Sequence, residues 1–362
     1  MSDAGVKTGV VAARPSFTVD GDVRDDLTQA LLGLRVEETT DGLYSCEATF
    51  ANWGPQRNGE VGFRYLDRET FDFGTELRID APAGPETETI FEGRVTALES
   101  QVPESQPPSL VVLAEDRLQG LRMTRRTRTF EDVSDEDVAE QIARDHGLDT
   151  DLDVDGPTHT VLAQVNQSDL AFLRDRARAI DAEVWVEGTT LRMQERARRD
   201  AGDLTLTYGE GLRSVTVRAD LAHQQTDFAV SGWDVQAKES IEETAGDEAL
   251  RGELDGGLSG ATVLEEALGT HTQQMVHTTP LTTDEARAVA RASFRQHARQ
   301  FVEARGVAEG DGRLRVGARV ELVGVGALFE GGRYTLTEAR HTFGPEDGYR
   351  TRFTAQRPYL EQ

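Results

Sequence analysis

Asp151, Asp153 and Asp155 alternate along DTDLDVDGPTHTVL and run into Gly156, which is how a calcium-binding loop begins. The pattern then fails, because Leu162 stands where a bidentate carboxylate is required and Pro157 follows the glycine. A solvated acidic turn is the reading this stretch supports. Zinc needs histidines and cysteines at fixed spacing, and the seven histidines include no HExxH pair. His271 and His277 fall in a weakly patterned segment. One cysteine, Cys46, allows neither an intrachain disulfide nor a thiolate cage. No GxSxG elbow, P-loop or GxGxxG occurs; GLSGA and GGLSG share only composition with an elbow. Among 65 acidic residues nothing singles out a carboxylate pair for glycoside cleavage. His297 reads as a helix-surface or partly buried residue rather than a general base. Trp185 and Trp233 read as core or interface anchors. The expectation is a non-enzyme with no catalytic residue, no cofactor and no metal.

The elements around these residues carry more information. In NQSDLAFLRDRARAIDAEVWVEG, residues 166–188, Ser168 caps a helix whose Leu170, Leu173, Ala177 and Ile180 recur at helical spacing. The period then changes to two through Val184, Trp185 and Val186, and Gly188 turns the chain into Leu191. A second helix, SDEDVAEQIARDHGL, opens on a capping-box variant, Ser134 with Asp137, and meets Gly147. Thr282 and Glu285 cap a third, predicted to run unbroken from Thr283 to Arg305. Its stripe is Ala286, Val289, Ala290, Ser293, Phe294, His297 and Phe301, and Gly306 is its stop.

Around the helices the chain reads as strands. GTELRID at 74–80, residues 90–98 and 110–113 alternate or run apolar, broken by APAGPE and VPESQPPS. After residue 201 come LTLTY, SVTVRAD and DFAVSGWD, and the last 50 or so residues are again β-patterned. Residues 239–280 are acidic and weakly patterned, an excursion rather than core. The most informative feature is an internal echo. Gly74-Thr-Glu-Leu-Arg-Ile-Asp matches Gly317-Ala-Arg-Val-Glu-Leu-Val in pattern. Phe91-Glu-Gly-Arg-Val-Thr follows the first, Phe329-Glu-Gly-Gly-Arg-Tyr-Thr the second, and each reaches a glutamate, Glu99 or Glu338.

The predicted fold is therefore mainly β with α+β insertions: two related β-barrel-like domains plus a small α+β domain. The predicted divisions are a tail at 1–14, a first barrel at 15–118 and an α+β domain at 119–200. A second barrel takes 201–238 and 307–358, with an excursion and long helix at 239–306 and a tail at 359–362.

The bulk numbers bound the partners. With 39 basic against 65 acidic residues the formal charge is -26, and phosphate contacts need a positive field, so nucleic acid is not an expected partner. The only lysines are Lys7 and Lys238, a bias shared by halophilic and GC-rich sources. No stretch approaches the roughly 20 apolar residues of a membrane span, and MSDAGVKTGVVAARPS is no convincing signal peptide. Synthesis and retention in the cytoplasm are expected until release.

The ordered segments together resemble the phage late control D family, hub proteins of contractile tails similar to the hub portion of VgrG proteins. Carrying the resemblance are FEGRVTAL at 91–98, RTRTFEDVSDEDVAEQIARDHGL at 126–148, QSDLAFL at 167–173 and VSGWD at 230–234. The closing GARVELVGVGALFEGGRYTLTEARHTF with GYRTRFTAQR completes it, so it spans about 15–357. One departure is Asp181-Ala182 where the family has glycine after the FL helix. The family's fold implies a baseplate hub: a homotrimer whose two barrels per chain adapt a threefold spike to a sixfold inner tube. Partners implied are a second and third copy, a separate spike protein, the inner-tube protein or tube initiator, and other baseplate proteins. The product would be a phage-tail-like particle. A separate spike is expected because the chain ends at Gln362 soon after its last strand. Barrel edges at 74–80 and 317–324 would bear the contacts, and the contact candidates are Leu77, Ile79, Phe91, Val95, Val320, Leu322, Phe329, Tyr334 and Trp233. The 166–188 stretch becomes a structural joint. Two other classes stay open: a tail-associated cell-wall hydrolase and a carbohydrate-binding module.

Overall fold

The computed structural model describes residues 14–56, 59–234, 238–275, 280 and 282–361. The fold is mainly β. The first unit contains β1 (Ser16–Val19), β2 (Asp22–Val23), α1 (Asp25–Ala30), β3 (Leu31–Thr39), β4 (Ser45–Ala51), β5 (Trp53–Pro55), β6 (Val61–Phe63), β7 (Glu76–Ala83), β8 (Glu86–Gln101) and β9 (Ser109–Glu115). Six of these wrap in the order β1-β7-β8-β9-β4-β3. Alternating side chains (Leu77, Ile79 and Ala81 on β7; Cys46, Ala48 and Phe50 on β4) turn one face of each strand into a shared core. Phe17 and Phe71 pack on Phe50 at its centre. Helix α1 adds Leu27 and Ala30 to that core between β1 and β3, which are not paired.

The α+β unit follows: α2 (Leu118–Arg122), β10 (Arg125–Val133), α3 (Asp135–Asp145), β11 (Asp149–Asp153), β12 (His159–Ser168), α4 (Asp169–Ala179), β13 (Ala182–Glu187) and β14 (Thr190–Glu195). Both predicted caps form. The Ser134 hydroxyl accepts from the Asp137 amide, and Asp137 returns a bond to the Ser134 amide. Ser168 accepts from the Ala171 amide. The expected acidic turn is instead strand β11, paired in parallel with β14. The parallel register sets Asp151 opposite Arg192, which it binds, while Asp153 and, just past the strand, Asp155 bind Arg198 beyond the end of β14.

The rest comprises β15 (Asp203–Tyr208), β16 (Gly211–Ala219), β17 (Asp227–Asp234), β18 (Glu239–Ala245), β19 (Leu258–Ser259), α5 (Gly260–Leu268), β20 (Thr272–Met275), α6 (Thr283–Ala298), β21 (Val302–Glu309), β22 (Arg319–Val323), β23 (Tyr334–Gly344), β24 (Gly348–Arg357) and β25 (Tyr359–Leu360). Six strands close in the cycle β15-β22-β23-β24-β21-β16.

Three expectations need correction here. The third helix stops at Ala298, capped at Arg299, and residues 302–309 are a strand between β16 and β24. VEARGVAE buries Val302, Ala304 and Ala308 on one face, so sheet pairing on both sides overrides the helical propensity of its Ala, Glu and Arg. Phe301 accordingly belongs to the barrel core, not the helical stripe. Second, β17 is not a barrel strand: it pairs with β18 and β20, and α6 packs against that small sheet around Phe228, Val230, Ile241 and Phe294. The 227–298 stretch is thus a folded unit inserted in the second barrel, and the 239–306 excursion has a core of its own. Third, Tyr359–Leu360 is not a loose tail but pairs with Leu258–Ser259. The expected tail at 1–14 lies outside the described residues except for Arg14.

The two barrels share one topology. Numbered along the chain, their six strands are β1, β3, β4, β7, β8, β9 and β15, β16, β21, β22, β23, β24, and both run 1-4-5-6-3-2 in space. Only the first strand differs in direction, antiparallel to β7 in one barrel and parallel to β22 in the other. Gly74 and Gly317 hold equivalent places at φ +86° and +90°, a left-handed conformation that favours glycine. Their amides donate to the carbonyls of Val95 and Leu336. Beyond those residues each strand bulges at a threonine, Thr96 or Thr337, whose hydroxyl donates to Leu113 O or Thr354 O. The textual echo is therefore displaced in its second half. Val95 matches Leu336, not Tyr334, and Phe329-Glu330-Gly331 lies in a loop. A two-residue slip keeps the same faces buried, so the pattern alone does not expose it.

Candidate assembly surfaces

The predicted contact residues are mostly core. Leu77, Ile79, Phe91 and Val95 fill the first barrel, and Val320, Leu322 and Tyr334 the second, all at most 2 % exposed. Their alternation marks inward-facing positions. The 74–80 and 317–324 strands are not edges either: β7 lies between β1 and β8, and β22 between β15 and β23. Phe329 is half-buried in the loop before β23, where its carbonyl accepts from the Tyr334 hydroxyl. Only Trp233 among the nine is openly accessible, at 50 %. His297 is exposed on the helix surface, its ring 4.7 Å from that of Phe228. His277 lies outside the described residues.

Exposed apolar groups lie elsewhere. Trp53 and Phe63 meet edge to face at 5.4 Å across the β5–β6 hairpin, with Val61 exposed beside them. Val102, where β8 ends, is 64 % exposed. Their signal in the sequence was a Gly- and Asn-bearing turn, which reads as loop and hides the aromatic pair flanking it.

Backbone edges are the second kind of surface. The barrels are joined by β3 and β23, antiparallel, with Glu38 opposite Ala339 and Val36 opposite His341. The Arg340 guanidinium binds Glu37 across the seam. Buried Glu38 accepts from Arg315 Nε at 2.7 Å. Phe343 and Tyr349, at the far end of the β23–β24 hairpin, enter the first barrel's core. No strand among the described residues pairs with the β7 side of β8 beyond Val95, or with the β15 side of β16 beyond Leu212.

Charged groups inside the molecule act as joints. Asp181, in the turn after α4, lies in the left-handed region at φ +60°, which aspartate tolerates. Its carboxylate takes both Arg299 amino groups at 2.6 and 2.7 Å, and Glu253 closes the same guanidinium. So the helix-to-strand turn at 180–182 is tied to the end of α6. Arg199, buried over the Trp185 ring, donates to Glu183 and to the Tyr44 hydroxyl of the first barrel. The 166–195 region thus bridges both neighbours. A cleft of about 270 Å³ gathers Arg196, Arg199, Arg299, Arg319 and Arg333, but each already has an acidic partner. His159 lies between Asp135, Glu285 and Arg176. Burial disfavours its imidazolium, yet the two carboxylates outweigh burial and raise its pKa. These arrangements hold elements together; none presents a nucleophile beside a base to an open cavity. No group of three or more His, Cys, Asp or Glu among the described residues is placed to hold a metal, and no described helix is long and apolar enough to cross a membrane.

Solved structures share this fold. A 43 kDa tail protein of prophage MuSo2 from Shewanella oneidensis matches with TM-score 0.68 at 11 % identity, over 96 % of this chain and 98 % of its own. A tail protein from Neisseria meningitidis gives 0.64 at 11 %, over 95 % and 96 %. An Escherichia coli component of the type VI secretion system gives 0.56 at 12 %, over 92 % of this chain and 75 % of its own. No curated protein matches the sequence. The profile described as the Alg8 N-terminal domain matches residues 19–344, and the chain belongs to that family.

Proposed function

We propose that this protein is a structural component of a tail-like contractile apparatus: the baseplate hub, a homotrimer that adapts a threefold spike to a sixfold inner tube. The observation that carries this reading is the shared 1-4-5-6-3-2 strand order of the two barrels. Three chains then offer six similar barrels around one axis, which a sixfold ring can meet and a threefold spike can still bind. The tail proteins and the secretion-system component that share the fold support the setting. Hub partners would be two further copies, a spike protein, the inner-tube protein or its initiator, and other baseplate proteins, assembled into a phage-tail-like particle after cytoplasmic synthesis. The role is geometric and uses no catalytic residue or cofactor.

Light scattering tests it. The expected mass is about three times the 39.8 kDa chain, alone or once spike protein is added. A monomer under both conditions overturns the hub. Cell-wall lysis by the purified chain, abolished by one carboxylate substitution, would make it a hydrolase instead.

A further inference from the structure

The seam between the two barrels supplies its own copy. In the second barrel, β23 leaves β22 after Leu336, bulges at Thr337, and spends residues 338–343 on the open side of β3. In the first barrel, β8 leaves β7 after Val95, bulges at Thr96, and continues to Gln101 with that side unpaired among the described residues. The receiving strand is repeated as well. β3 bulges between Leu31 and Gly33 against β4, and β16 bulges between Leu212 and Ser214 against β21, so Leu34, Val36 and Glu37 correspond to Val215, Val217 and Arg218. In β3 those residues face a partner. In β16 the matching side is open beyond Leu212.

Resting on the hub reading, we infer that the 97–102 edge of β8 in one copy pairs antiparallel with the 215–220 edge of β16 in the next, repeating the internal β23–β3 seam between subunits.

Transferring the register residue by residue sets Leu98 opposite Ala219, Glu99 opposite Arg218, Ser100 opposite Val217 and Val102 opposite Val215. Two features of the transferred pairs, charge and exposure, are independent of the register. Internally, Arg340 faces Glu37 and binds it; between copies, Glu99 faces Arg218, an ion pair of reversed polarity in the same place. Glu99 accepts from Gln101, and Arg218 has no acidic partner among the described residues. Val102, 64 % exposed, falls at the position of Phe343, which is buried in the adjoining barrel. Val215 and Val217, half-buried here, fall at the positions of the buried Leu34 and Val36. An open strand edge invites added strands, and unmatched apolar groups along it should be covered. Because the donor and acceptor edges are different surfaces, the contact is heterologous and closes only by completing a ring. The internal seam already performs one step of that rotation.

Cysteine cross-linking tests the register. A chain carrying Ser100→Cys is mixed with one carrying Val217→Cys, buried Cys46 being left in place. Opposed strand positions meet the Cα separation of a disulfide, roughly 4.4–6.8 Å, so oxidation should give a two-chain product. Both substitutions on one chain should give a ladder ending at three chains. Ser100→Cys with Val215→Cys, two residues out of register, should not link. Glu99→Arg or Arg218→Glu alone should weaken self-association roughly fivefold, and the double exchange should restore it. An oligomer that forms without registered cross-links, or that links both pairs alike, overturns the pairing and leaves the hub reading standing. A chain that never oligomerises, with or without spike protein, overturns both.

Discussion

Two histidines shift in opposite directions from the ordinary imidazole value because their surroundings differ. His341 is buried where the barrels meet, its Nδ1 2.8 Å from the Tyr349 hydroxyl, and its Nε2 has no partner among the described residues. Burial lowers its pKa to about 4 from 6.5, with Arg315 adding to the effect against Glu38 and Asp311. The unfolded chain therefore takes up this proton first. The stability His341 contributes is fully present above pH 6.5 and is lost as pH falls toward about 4. At about 1.4 kcal/mol per pKa unit, the loss is on the order of 3 kcal/mol. Thermal unfolding of wild type and His341→Asn across this range should differ most in slope; parallel curves would show that the imidazole is not what titrates. His159 works the other way. Its raised pKa, held up by Asp135 and Glu285 against burial and Arg176, contributes stability below 6.5 that is lost as pH rises through the folded value. His159→Gln should remove that loss and leave the acid limb unchanged.

Helix α6 is the element on which the inserted unit depends. Phe294 is 1 % exposed and meets Phe228 edge to face at 6.4 Å. Phe294→Asp forces a charge into that core and should cost at least about 3 kcal/mol, read as a lower denaturation midpoint. A variant that melts like wild type would mean the stripe is not a core face. The cap and the first four turns of this helix are legible from Thr282, Glu285 and the Ala/Phe spacing, because those interactions are local. Its end is not. From Val302 onward the alternation is as good for a strand as Ala, Glu and Arg are for a helix, and β16 and β24, distant in sequence, decide. The same physics explains the contact candidates. Alternating Leu77 and Ile79 announce a half-buried strand without saying whether a second strand covers each edge. Edges are a property of backbone pairing, and only the bulges at Thr96 and Thr337 mark where a strand changes partner. The repeat of Gly74 at Gly317 was readable because both need the left-handed region. The register after it was not, since a two-residue slip preserves every buried face.

At the scale of the whole molecule, charge opposes assembly. Each chain carries a formal charge of -26, so the proposed hub of three would concentrate that charge around one axis, where like charges on three subunits repel. The proposed seam between copies would hold through backbone bonds and apolar cover such as Val102 on Val215, with the Glu99–Arg218 pair a minor, exposed contribution. Salt separates these contributions. The Debye length falls from roughly 10 Å at 0.1 M to about 3 Å at 1 M, which screens subunit repulsion and the single ion pair alike. Repulsion between whole subunits is the larger of the two, so the trimer should strengthen, or at least not weaken, as salt rises. Sedimentation at a fixed protein concentration across that range measures it. Steep dissociation with salt would mean that attractive ion pairs dominate the interface, and the strand-edge account of how the subunits hold together would then be wrong.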